Sequence, residues 1–364
     1  MRFALSDDQV SFRDAVRDLL ANECTPAVVR AAWDAPAGAL DRGVWDSLAE
    51  MGVLGLLVPA ADGGLGLDET FLVPVLEACG RAALPHPIVE TAMVAAPLLG
   101  TGAGLVSTDL GGPLVPCAAD ADTLLLHRDG ALVLSASPAI GLDPAPTVDR
   151  ARRAARLAAP RTTTPHQPAT SSDSPGHPVS QVPGATPAPA QSATPGDSPV
   201  PPVSQVPVVV TRDPAAIALS LDRGALGTAA MLIGLAQAML DLTVGYVQER
   251  QQFGVPVGSF QAVKHHLADA ALALEFARPA VWRAAWSVAH NEPTRARDVS
   301  MAKAMANDAA ELVGHQALQC HGAIGYTVEA DLHLYLKRTW ALSRAWGDSA
   351  HHTDRVADAL TEAR

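Results

Sequence analysis

Apolar positions recur at spacings of three and four residues over most of the chain, the signature of amphipathic or buried helices. Ser6, Asp7, Asp8 and Gln9 have capping-box form, and Phe12, Val16, Leu19 and Leu20 follow at helical spacing. Pro26 is expected to close that helix. Residues 44–51 and 69–79 carry further helical patterns, with a Gly-rich loop at 58–67 between them. Gly63, Gly64 and Gly66 lack the Lys-Ser/Thr of a P-loop and the phase of GxGxxG, so the loop reads as a structural turn. Pro85 and Pro87 precede another helix, about 88–99. The pattern changes after Leu110. Residues 122–136 are two short apolar runs around Arg128, Asp129 and Gly130, a hairpin signal. VPVVVT (206–211) and AIALSL (216–221) read as strands. The helical period then returns for 224–250, 260–289, from Pro293 to about 320, 327–344 and 349–361.

Composition refines this plan. Residues 160–207 are rich in Pro, Ser, Thr and Ala, and the hexapeptide PVSQVP occurs at 178–183 and again at 202–207. Such a segment buries too little apolar area to offset its ordering entropy, so a disordered surface insertion is expected. The predicted fold class is mainly α. It comprises an N-terminal helical domain (1–110), a reduced middle β domain carrying the insertion (111–221) and a C-terminal helical bundle (222–364). The formal net charge of −12 argues against a nucleic-acid or anionic-membrane surface. The apolar runs near 93–106 and 224–240 are interrupted by Gly, Thr or Gln and read as buried helices. The first residues lack an apolar signal core, and Cys24, Cys79, Cys117 and Cys320 are scattered without metal-ligand spacing. A cytoplasmic protein with reduced thiols and no metal is expected. The pairs His265–His266 and His351–His352 are adjacent on helices and point about 100° apart, a poor chelating geometry.

The connection between the two longest helical patterns is unusual. ERQQFGVPVGSFQAVKHHLADA (249–270) holds an arginine, paired amides and two phenylalanines among Gly254, Pro256 and Gly258. Arg250 could cap helix carbonyls, or it could donate two parallel bonds to a phosphate. Phe253 and Phe260 could be buried staples or could lie against a flat ring, and Gln252 and Gln261 could be solvated or could bond a ligand's polar edge. In combination, within a constrained GVPVG loop, they point to a dinucleotide contact.

YVQERQQFGVPVGSFQAVKHHLADA resembles the helix–loop–helix signature of the acyl-CoA dehydrogenase family: R-x-x-F-G, then F-Q, then a helix with L-A-D. LQCHGAIGYTVEADLHLYLKR (318–338) resembles the family's Q-x-x-G-G-x-G-Y/F-T-x-E stretch. WDSLAEMGVLGLLVPAADGGLGL and EACGRAALPHP resemble its first helical domain. The resemblance implies α,β-dehydrogenation of an acyl-CoA thioester with FAD bound between subunits. It further implies that Arg250, Gln252, Phe253, Phe260, Gln261, Gln319 and Gly322 contact the adenine and diphosphate portion of a flavin held mainly by a neighbouring chain. Ala323 replaces the family's usual second glycine. An electron-transfer flavoprotein is the acceptor the resemblance implies.

Two family features are missing. The base is usually a glutamate in a Y-E-G-T-type turn, but here that turn reads SRAWGDSAHH (343–352), with Trp346 at the glutamate position and Asp348 two residues on. The alternative place aligns near Gly224, beside Asp222 and Arg223, again without glutamate. Glu329 reads as structural. The T-E-P-x-A-G-S-D stretch, whose hydroxyl and backbone groups bond the flavin ring, is replaced by GGPLVPCAA. Some family members resemble heterotetramers in which one subunit carries base and ring site and the other supplies the adenine-side arm. The expectation is that this chain is the base-less subunit. The alternatives are a self-sufficient homo-oligomer using Asp348 as base, and a non-catalytic helical partner-binding module.

Overall fold

The computed structural model describes residues 4–101, 104–137, 141–157 and 207–362. Almost all of the Pro-rich segment at 160–207 lies outside them. Helix α1 (Asp7–Glu23) opens on the capping box: the Ser6 hydroxyl accepts from Gln9 N, and Gln9 Oε1 accepts from Ser6 N. It ends before Pro26, which opens the next helix, α2 (Pro26–Asp34), instead of closing the first. Proline at a first helical position lacks only a donor that would be unpaired anyway. Helices α3 (Gly43–Glu50) and α4 (Glu69–Arg81) follow. The Gly-rich loop between them is a structural turn, for a Cβ at Gly64 would sit 2.1 Å from Val58 O. The helix expected at 88–99 is mostly a buried π-helical stretch, Val89–Ala95, that tightens into α5 (Ala96–Leu99).

The middle region is small. Strands β1 (Val106–Thr108), β2 (Thr123–Arg128) and β3 (Ala131–Ala136) are followed by the short pair β4 (Leu142–Pro144) and β5 (Ala155–Leu157), then β6 (Val208–Thr211). The main sheet has the order β1-β2-β3-β6, with β1 parallel to β2 and the other pairings antiparallel. The hairpin read from residues 122–136 is present, turning at Asp129 (φ 48°) and Gly130 (φ 70°). The Thr91 hydroxyl donates to Val106 O at 2.8 Å, tying the sheet's edge to the π-helical stretch.

AIALSL is not a strand. It forms the first turns of α6 (Pro214–Glu249), so the expected β–helical boundary at 221/222 falls inside a helix. Asp213 caps this helix by accepting from Ala215 N, and Pro214 occupies its first position. These start signals, with two alanines, outweigh six residues of apolar alternation. The arm strands β7 (Gln251–Gln252) and β8 (Val255–Pro256) come next, then α7 (Gln261–Ala289), α8 (Arg295–His321), α9 (Leu332–Leu342) and α10 (Ser349–Glu362).

Helix α6 is the central rod. It is long and apolar enough to cross a membrane by length and composition, but 83% of that apolar window is buried inside the fold. Backbones of α4 and α6 touch at paired glycines: a Cβ at Gly234 would lie 2.0 Å from Glu77 O, and one at Gly80 2.1 Å from Met231 O. Buried ions lock the layers. Arg338 on α9 bonds Asp149 of the β region and Leu84 O of the N-terminal region. Asp222 on α6 accepts from Arg295 of α8 at 2.9 Å and Arg355 of α10 at 3.1 Å.

Candidate functional site

The loop after α6 folds as a miniature hairpin. Gln251 pairs with Pro256 and Gln252 with Val255, leaving Phe253 (φ 54°) and Gly254 (φ 80°) as the turn. Two consecutive left-handed residues make a type I′ turn, a position that favours Asn or Gly over a bulky aromatic. Phe253 is nevertheless 93% exposed. Its ring meets Phe260 edge-on at 6.3 Å, so the aromatics form an outward ledge, not a buried staple. Arg250 has extended backbone and no side-chain hydrogen bond or ion pair among the described residues, so its guanidinium does not cap helix carbonyls. Gln252 and Gln261 are exposed as well.

The second sequence-predicted segment is at the C-terminal end of α8. Gln319 is exposed, and Gly322 (φ 65°) is so open that a Cβ would meet nothing within 4 Å. His321 is buried and stacks on Tyr246 of α6 at 4.4 Å. A cavity of about 620 Å³ is lined by Gly245, Tyr246, Glu249, His321 and Ile324, the chain neighbours of Arg250 and Gly322. The two segments therefore border one recess. A nucleotide diphosphate needs an unpaired cation fork and approachable backbone, and its base needs an apolar flat partner. Arg250, Gly322 and the Phe253–Phe260 ledge fit that half of FAD.

The positions where a base is expected meet each other. Trp346 (φ 60°) is buried, and its backbone N–H donates to Gly111 O at 2.8 Å. A Cβ on Gly111 would lie 2.7 Å from the indole Cε2, and one on Gly224 only 2.3 Å from Cε3. One indole thus fills the space between the two alignments of the missing glutamate. The turn is held from behind. The fully buried Lys303 of α8 donates to Asn307 Oδ1 at 2.6 Å, Gly347 O at 3.0 Å and Leu342 O at 3.3 Å. Burial lowers its pKa to about 7. The buried His352 donates from Nε2 to Trp346 O at 2.8 Å.

Asp348, the weak candidate base, caps α10 by accepting from His351 N at 3.0 Å. That backbone bond, followed by the Arg344 charge, holds its carboxyl below the usual range. A base working near neutral pH in an apolar pocket needs the opposite shift. The ring side is also depleted. Ser107 Oγ donates to Pro116 O, Thr108 Oγ1 accepts from Leu110 N and keeps its own proton to donate, and residues 110–119 contain no hydroxyl. With Thr108 as the one hydroxyl left on that stretch, these residues fit an isoalloxazine of this chain's own poorly.

Sequence reasoning missed Lys303 and Arg338. Lys303 had a signal: it falls on the apolar stripe Val299, Ala306, Ala310 of α8, where a solvated lysine would not.

Comparison with known proteins agrees with this architecture. Residues 6–104 match the family described as Acyl-CoA dehydrogenase, N-terminal domain, and residues 215–361 match Acyl-CoA dehydrogenase, C-terminal domain. The chain is 29% identical over 363 residues to acyl-CoA dehydrogenase IpdE2 of Mycolicibacterium smegmatis, covering 97% of this chain and 98% of that protein. Among solved structures, the ChsE4–ChsE5 complex of Mycobacterium tuberculosis aligns with a TM-score of 0.78 at 21% identity, over 100% of this chain and 99% of that one. A variant of the Tcur3481–Tcur3483 steroid acyl-CoA dehydrogenase aligns with a TM-score of 0.77 at 23% identity, over 98% of each chain. At those identities the structural likeness is one of fold. Taken with both matched domains, the chain belongs to the acyl-CoA dehydrogenase family, FAD-dependent oxidoreductases that act on CH–CH groups.

Proposed function

We propose that this chain is the base-less subunit of a hetero-oligomeric acyl-CoA dehydrogenase. It supplies Arg250, Gln252, Phe253, Phe260, Gln261, Gln319 and Gly322 to the adenine–diphosphate half of a flavin whose ring and catalytic glutamate belong to a second, dehydrogenase-like subunit. Bound there, the flavin would supply the hydride-accepting chemistry and the partner's carboxylate the base, while Arg250 and Gly322 of this chain would hold the diphosphate. This chain fixes the nucleotide end. The observation that carries the reading is the position of Trp346, whose indole fills the space beside Gly224 that a base would need, while the arm stays open.

The proposed substrate is an acyl-CoA thioester with a bulky lipid or steroid acyl group, on the strength of the similar protein described as a steroid acyl-CoA dehydrogenase. An electron-transfer flavoprotein is the proposed acceptor. The test is to co-purify the chain with a second dehydrogenase-like subunit and record flavin absorbance. A flavin-loaded complex is expected. Arg250→Ala should weaken FAD roughly 10- to 100-fold, the loss of a hydrogen-bonded ion contact, whereas Asp348→Asn should leave turnover unchanged. A complex colourless in excess FAD, or turnover abolished by Asp348→Asn, sinks the proposal.

A further inference from the structure

A second cavity, of about 350 Å³, lies beside Trp346. It is enclosed by the β1–β2 connection, the 146–154 segment and the end of α9, and its size is at the lower end for small-molecule sites. Its walls include Pro113, Leu114, Val148, Trp340 and Trp346. Arg152 and Glu90 line the same space, with Arg344. The Arg152 side chain is 13% exposed, and its one ion contact, Nη2 to Glu90 Oε1, is 3.4 Å long. That is well beyond a good charge-assisted bond, and no other side-chain partner of Arg152 occurs among the described residues. None of its nitrogens is both fully buried and unpaired, so its spare donors face the cavity's solvent, where an anion can meet them.

The surrounding charges agree. Arg152 and Arg344 line the cavity and Lys303 lies behind the Gly347 turn; the facing carboxylates are Glu90 and, behind the turn, Asp348 and Glu311. Arg338, farther in, is neutralised by Asp149. We infer that this cavity binds a compact amphipathic carboxylate, its apolar body against Trp340, Trp346 and Leu114 and its carboxylate on Arg152. The inference rests on the reading that this chain holds no flavin ring of its own, and is independent of what the arm does.

The test uses the FAD-loaded complex with its partner and 2-naphthoate, a flat apolar carboxylate. Binding is followed by tryptophan quenching and calorimetry, with flavin absorbance recorded in parallel. Saturable submillimolar binding is expected, with the flavin spectrum unchanged. Arg152→Met should weaken it about tenfold or more, and so should replacing the probe by neutral 2-naphthalenemethanol. Val148→Trp, at a half-exposed wall position, should fill the space and abolish binding without altering charge. Both variants are confined to this chain, so probe seated in the partner's pocket does not register as a change. Binding absent at millimolar probe, or equal in parent and Arg152→Met, overturns the inference. So does uptake of a further FAD per copy of this chain that displaces the naphthoate. Loss of flavin from the complex on Arg250→Ala with naphthoate binding intact would bear on the arm alone.

Discussion

Trp346 holds a left-handed backbone conformation that costs a bulky residue about 1–2 kcal/mol. Burial of its indole between Gly111 and Gly224 offsets that cost, since removing a buried aromatic of this size costs about 3–5 kcal/mol. Trp346→Ala is therefore expected to lower unfolding free energy by that amount in a denaturant titration. Trp346→Glu, which restores a carboxylate, should gain no turnover in the isolated chain, because the nucleotide arm has no ring site of its own chain to serve on the proposed reading. Phe253 presents the reverse balance. Its strain is not offset by burial, as it is 93% exposed. Phe253→Gly should stabilise the isolated chain by about 1 kcal/mol while weakening FAD retention in the complex. If Phe253→Gly leaves flavin affinity unchanged, the ledge is not a nucleotide contact. The loop between α6 and α7 stood out in the sequence because its residues are contiguous and its motif is local. The surroundings of Trp346 were half legible: the absence of glutamate at 346 and 224 could be read, but not that Gly224 and Trp346, far apart in sequence, touch. Lys303 was readable only as a charge out of place on an apolar stripe.

Helix ends were legible to within a few residues in α7, α8 and α10, whereas α6 begins ten residues before the expected 224. Short segments failed where a local signal competed with the pattern. AIALSL alternates like a strand for six residues, yet Asp213 and Pro214 start a helix just before it. Pro26 is both a stop and a start signal, and the start prevailed. The π-helical stretch has no sequence signature in the apolar period, since it differs from an α-helix only in how the turns are wound. Two predictions belong at this scale. Gly234→Ala forces a Cβ against the backbone of α4, where no side chain can swing away. A loss of about 1–3 kcal/mol, read from thermal or denaturant unfolding, is expected. Helix α10 depends on His352, whose pKa burial lowers from 6.5 to about 4. The folded chain binds fewer protons there than the unfolded chain between those values. Its contribution is complete above pH 6.5 and is lost as pH falls toward 4. His352→Gln should therefore destabilise most at pH 7, and the difference from the parent should shrink by about 3 kcal/mol by pH 4. A difference constant with pH would mean that the imidazole is not buried neutral.

For the whole molecule, the proposed function turns on an imbalance between the two ends of a flavin site. The arm projects Arg250 and an aromatic ledge away from the fold, and among the described residues Arg250 has no side-chain partner. On this proposal the β region opposite offers few groups to receive a ring, and Trp346 occupies the position of the base. Two copies of this chain facing each other would have two arms and no ring site, whereas one copy facing an intact dehydrogenase subunit completes a single site. The apolar side chains exposed on the outer faces of α7 and α8, Leu272, Phe276, Met301 and Leu312, add area that association would cover. Stoichiometry follows from this geometry. The isolated chain is expected to be colourless after dialysis against FAD, and the complex should carry one flavin per pair of unlike subunits, measured by absorbance of the released cofactor against protein mass. The complementary arm, that of the intact subunit, would then face this chain's β region and hold no flavin. Two flavins per pair would mean that this chain's β region binds a ring with Thr108 as its one hydroxyl on that stretch, and that the indole of Trp346 moves aside to admit it.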